Sequence, residues 1–139
     1  MASITFDSFY SDLGAGAVVP TTDTYKVMLV TSTYAPNKGT HTKRSDVTNE
    51  VVGTGYTAGG QTVVCTVAIN TTTHLWTFTP ATSTWPGSTI TARGAVVYKS
   101  RGGLATADNL VCYEDFGVDT TSTGAVFTVT ITAPLAIQN

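Results

Sequence analysis

The sequence predicts an all-β fold, an antiparallel β-sandwich of about seven strands with a short N-terminal helix, and three observations predict it. Threonine supplies roughly one residue in five, and this β-branched side chain, stiff at χ1, suits a half-exposed pleated strand. Apolar and polar residues alternate along short runs, such as Leu75, Thr77 and Thr79 against Trp76 and Phe78. Gly, Pro and Asn punctuate those runs at the spacing of a sandwich or barrel. The 139 residues form one domain, 1–139, with residues 1–22 as its N-terminal helix and arm, long enough to bury a core without staples.

The helix is expected where Phe6, Phe9, Tyr10 and Leu13 fall at i, i+3, i+4 and i+7 and share one face. Thr5 or Ser3 would cap it, Asp7 would sit near the positive dipole end, and Gly14 would end it. Thr24–Thr31 is apolar on both faces and reads as a central strand. The connection from Ser32 to Glu50 is rich in turn formers, with room for a helical turn at Asp46–Glu50. Thr62–Ile69 and His74–Thr79 read as a hairpin closed by Asn70–Thr73. A short strand near Thr84-Trp85 precedes a long one, Thr89–Lys99, with Ile90, Ala92, Gly94, Val96 and Tyr98 on one face and Arg93 on the other. Asn109–Phe116 and Ala125–Thr132 complete the strands, joined by a turn-rich connection, Gly117–Gly124.

The stretch GTGYTAGGQTV, Gly53–Val63, invites a phosphate-loop reading and fails both versions of it. No Gly-Lys-Ser/Thr closes it, and it leads into a β-branched run rather than a helix, so the glycines are expected to serve a turn or bulge. A net charge of −2 without a lysine and arginine stripe argues against a nucleic-acid groove, and Lys43-Arg44 beside His41 is expected in a solvated loop. No apolar run reaches the ~20 residues of a membrane span, and no export signal opens the chain, so a soluble protein without membrane partners is expected. Charged residues make up 12%, about half the usual share, which suits a protein that lives against other subunits. Cys65 and Cys112 lie in apolar runs and are expected as reduced core residues.

Chemistry is sparse. His41 and His74 have no metal-site spacing, Glu114, Asp115 and Asp119 lack the pattern of a calcium loop, and no G-x-S-x-G elbow is present. No enzyme activity, cofactor or metal is therefore expected. Trp76 and Trp85 are expected as core or interface anchors.

The ordered blocks K-V-x-L-x-T-S-x-Y-x-P-N from Lys26, S-D-V from Ser45, G-T-G-Y-T-A-G-G from Gly53, I-T-A-R-x-A-V-x-Y-K from Ile90 and D-F-G from Asp115 resemble a family of small structural proteins of tailed bacteriophages. Gly102-Gly103-Leu104 and the Pro134-Leu135 tail depart from that family's forms. The resemblance implies a virion component at the capsid surface, assembled in the bacterial host cytoplasm: a decoration or cement protein that meets the major capsid protein or other virion subunits and forms a homo-oligomer. A tail or fibre protein contacting a host receptor or glycan is the alternative. Phe6, Phe9, Tyr10, Tyr34, Tyr56 and Trp85 are the expected interface residues, with Tyr34, Tyr56 and Trp85 also serving the glycan reading.

Overall fold

In a computed structural model, which describes residues 2–132 and 135–138, two antiparallel sheets pack in a sandwich-like, all-β fold with one short helix. The elements in chain order are β1 (Ile4–Thr5), α1 (Asp7–Ala15), β2 (Tyr25–Val30), β3 (Gln61–Val63), β4 (Cys65–Asn70), β5 (Leu75–Pro80), β6 (Ser83–Lys99), β7 (Leu110–Val129) and β8 (Ala136–Gln138). The first sheet runs β1-β7-β6-β2-β3 and the second β4-β5-β8. Pro134 lies outside the described residues.

Around β2 the larger sheet is buried on both faces, which is why β2 reads as apolar throughout. One face meets α1 and the smaller sheet in a core that includes Phe9, Val27, Leu29, Phe78, Trp85 and Phe127. The other face carries a second core, with Met28, Val30, Tyr34, Val96, Tyr98 and Tyr113. The N-terminal segment wraps the β7 edge and contributes to both: Phe6 enters the second core and Phe9 the first. The expected single face of Phe6, Phe9, Tyr10 and Leu13 therefore does not form, because Phe6 is the residue before the helix, in extended backbone. The caps differ as well. Thr5 is held in β1 opposite Cys112, the Ser3 hydroxyl accepts the Asp115 N–H, and the helix ends two residues beyond Gly14, at Gly16 in the left-handed region.

Three strand boundaries depart from the sequence reading. Thr62–Ile69 is not one strand: the run leaves the larger sheet after Val63, exposes Val64, and enters the smaller sheet at Cys65. The strands expected near Thr84-Trp85 and over Thr89–Lys99 are one, β6, irregular around Pro86 and Gly87. Asn109–Phe116 and Ala125–Thr132 likewise belong mostly to one strand, β7, and part of the Gly117–Gly124 segment is a wide bulge within it. At that bulge Arg93 alone, between Ala92 and Gly94, faces the segment from Phe116 to Asp119. Arg93 clamps its two ends, with Nε 3.2 Å from Asp115 and a second nitrogen 3.9 Å from Asp119. The irregularity also switches faces, so Ile90 and Ala92 join the first core but Val96 and Tyr98 the second, not one face as expected. Gly94 fits there because a Cβ would lie 2.4 Å from the Tyr113 ring.

The Ser32–Glu50 connection covers the second core. Its helical turn forms at Arg44–Asp46, earlier than expected, where the Asp46 carboxylate accepts the N–H groups of Thr42 and Lys43 at 2.8 and 3.0 Å. Arg44 is not a solvated loop residue: its Nε lies 2.7 Å from Asp108 and its guanidinium stacks over Tyr98. The His41 ring stacks on Tyr34, with Nδ1 3.0 Å from the Tyr34 hydroxyl.

The two backbone donors hold the Asp46 carboxyl below its ordinary pKa. The unfolded chain then binds more protons through the acid range, so this stabilisation is complete above the ordinary value of 3.8 and is lost as pH falls through the lower folded value. Asp46→Ala should cost about 1 kcal/mol in urea unfolding at pH 7 and progressively less below pH ~4.

Candidate interaction surface

Charge is segregated along the chain. Glu50 and Arg93 bracket a stretch, Val51 to Ala92, without one Asp, Glu, Lys or Arg, and none occurs after Asp119. Those two stretches supply the whole smaller sheet, the first ten residues of β6 and the end of β7. The charges lie elsewhere, and some of them pair: Lys99 with Asp23 at 2.9 Å, Arg44 with Asp108, and Arg93 with Asp115.

On the smaller sheet, the period-two alternation puts Val67, Ile69, Trp76, Phe78 and Ile137 on one face, since Ile69 lies opposite Trp76 and Trp76 opposite Ile137. Phe78 anchors that face in the core against Phe9 and Tyr25. Trp76 stacks on Phe78 with rings nearly parallel, and is half-buried. Beyond it the face runs out from under the helix, leaving Ile69 69% exposed and Ile137 44% exposed. Leu13, Pro20 and Thr21 form the opposite wall of an open apolar groove of about 410 Å³ over Val67, Trp76 and Ile137. On the distal part of the β6–β7 ribbon many of the outward residues are threonines, and the hydroxyls of Thr91 and Thr121 pair across it at 2.9 Å. The exposed Val126 lies on the same ribbon.

Of the residues expected at an interface, Tyr10 is exposed. Phe6, Phe9, Tyr34 and Trp85 are buried core side chains, each at 5% exposure or less. Tyr56 is half-buried and packs on Trp85. Aromatic side chains bury more apolar area than almost any other, and in a fold with so few charges the core takes them first. Of the surface residues that sequence reading missed, Val67 and Ile69 sit in a strand of the hairpin that was legible but whose inner face outruns its cover, and Ile137 sits in β8, a strand the sequence reading did not include.

The glycine loop is a structural plug beside β2. β3 pairs with β2 only at Tyr25–Val27. Past that point Tyr56 fills the ladder: its hydroxyl accepts the Leu29 N–H at 2.9 Å and donates to Glu50 at 2.7 Å. Glu50 also accepts the Gly59 N–H, and the Tyr98 hydroxyl donates to the Gly59 carbonyl. Burial, above all, raises the Tyr56 phenol far above its ordinary pKa, so it stays a donor at all working pH values. A carboxylate thus occupies the loop amide that a phosphate reading would need. Gly60 adopts φ +74° with its Cα against β2, where a Cβ would lie 1.8 Å from the Val27 carbonyl oxygen.

No family model, curated protein or solved structure matches this chain. The likeness to phage structural proteins accordingly stands on the sequence blocks alone. Among the described residues no group of three or more His, Cys, Asp or Glu is arranged to hold a metal ion. Glu114 instead binds Thr132 through both the N–H and the hydroxyl, while Asp115 and Asp119 hold Arg93. Cys65 and Cys112 are free thiols, Cys112 fully buried, and burial pushes the Cys65 thiol up to about 12, which suppresses thiolate chemistry.

Two substitutions test the loop. Tyr56→Phe strands a backbone donor and removes a carboxylate's partner, and should cost about 2 kcal/mol in chemical denaturation. Gly60→Ala forces both a left-handed alanine and a main-chain collision, and should cost about 3 kcal/mol or more, with a matching loss in calorimetric Tm.

Proposed function

We propose that this chain is a non-enzymatic structural protein of a bacteriophage virion, a decoration or cement protein that stabilises the head through protein–protein contacts with the major capsid protein and its own neighbours. The observation that carries the reading is the uncharged end: a groove, a sheet face and a ribbon rich in threonine without a formal charge, beside a half that holds all the charged side chains. Such a surface meets another protein without stripping water from ions, and each ~100 Å² of apolar area covered is worth on the order of 2.5 kcal/mol before ordering costs. Repetition over a capsid multiplies a modest contact.

The chemistry of the chain fits a binding role. His41 is engaged by Tyr34 and Asn37, and among the described residues no hydrogen bond joins either histidine to a serine or cysteine, as nucleophilic catalysis would use. A host-glycan reading draws no support from Tyr34, Tyr56 and Trp85, whose rings pack inward rather than standing beside exposed polar groups.

The test is the location of the chain in purified virions, by cryo-electron microscopy of particles and mass spectrometry of separated heads and tails. Many copies on the head, with the groove side against the shell or a neighbouring copy, are expected. Confinement of a few copies to the tail would overturn the decoration reading.

A further inference from the structure

Edge strands are normally blunted by shortness, charge, proline or bulges, because a row of unpaired N–H and C=O groups is a template for another strand. Among the described residues, three of the four terminal strands of the two sheets are short, β1 having two residues, β3 three and β8 three, while the part of β7 that outruns β1 is broken by register shifts in its pairing with β6. The fourth, β4, has six, CTVAIN, with no charge, no proline and no bulge in its pairing with β5. Its open side can be assigned. Ala81 N–H donates to the Val64 carbonyl, so the bonded pairs alternate from there, and the backbone groups of Cys65, Val67 and Ile69 point away from β5. These same three residues have their side chains on the groove face, where Cys65 and Val67 touch the core and Ile69 is exposed.

We propose that β4 is a self-association edge: two copies of this chain pair their β4 strands antiparallel about a two-fold axis, joining two three-stranded sheets into one of six strands. The strand is its own complement. Val67 opposite Val67, with Cys65 opposite Ile69 on either side, sets outward-pointing backbone against outward-pointing backbone and forms about six main-chain hydrogen bonds. The side chains brought together are apolar on one face and threonine, alanine and asparagine on the other. A protein of net charge −2 meets its own copy most readily where neither copy carries charge, and the β4–β5 hairpin has none. The pair also makes the two grooves continuous, covering the exposed Ile69 side chains. The inference is independent of the virion reading.

Sedimentation equilibrium of the full chain should show a reversible monomer–dimer equilibrium that stops at two. Ala68→Lys places a cation on the exposed side of the edge in both copies and should weaken dimerisation on the order of tenfold or more, with an unchanged circular dichroism spectrum and Tm. Val126→Lys, an exposed position on the β6–β7 ribbon, should leave it intact. Hydrogen exchange at Cys65, Val67 and Ile69 should slow as concentration rises. A monomer at every concentration, open-ended aggregation, or a dimer indifferent to Ala68→Lys whose β4 amides stay fast would each overturn the proposal.

Discussion

Everything else in this fold is arranged around the pairing of β6 with β7. These two strands, of 17 and 20 residues, are the longest elements, and their ladder runs from Ser83–Val129 at one end to Tyr98–Leu110 at the other. A flat ladder of that length would present one set of side chains to one side throughout. The wide bulge at Arg93 breaks it, so the lower half feeds apolar residues to both faces and the upper half keeps one face for the core and one for threonine. The clamp of Arg93 on Asp115 and Asp119 is the electrostatic seal on that change of register.

The two-faced lower half explains the rest of the architecture. A sheet buried on both sides needs two covers, and a chain this short has one small sheet and one helix for the first. The second cover is irregular chain, the Ser32–Glu50 connection, and irregular chain must satisfy its backbone by side chains. Asp46, Asn37 and Glu50 serve that end, accepting main-chain N–H groups across the loop and its neighbour. Polar residues that look like loop filler in the sequence are thus the fastenings of a core.

How much was legible depends on the range of the forces involved. The central strand β2 and the β4–β5 hairpin were readable because both are decided locally, by an unbroken apolar run and by an alternation closed with Asn70. The split at Val64 was not, since nothing in VVCTV marks where one sheet hands the chain to another. Gly117 and Gly124 looked like the ends of a loop, and the continuous strand between them is imposed by the partner strand. Aromatic residues posed the opposite problem: Phe6, Tyr34 and Trp85 carry the same signal whether they anchor a core or an interface, and only the cover over them decides. The lack of charge from Val51 to Ala92 was in plain view in the sequence, but its meaning depends on which strands it colours.

The N-terminal wrap has a consequence in time. β1 precedes its partner by more than a hundred residues in the order of synthesis, since it forms only against Cys112 and Tyr113, and Phe6 N–H bonds to the Val111 carbonyl. The central strand β2 likewise has its principal partner in Gly94–Lys99. During synthesis β2 must wait for Gly94–Lys99, and β1 for Cys112 and Tyr113, with their apolar residues uncovered in the meantime. Such sequence-distant pairings make for slow, late closure, so the order of manufacture runs against the order of assembly, and the nascent chain spends its most adhesive interval before the edge at β7 exists.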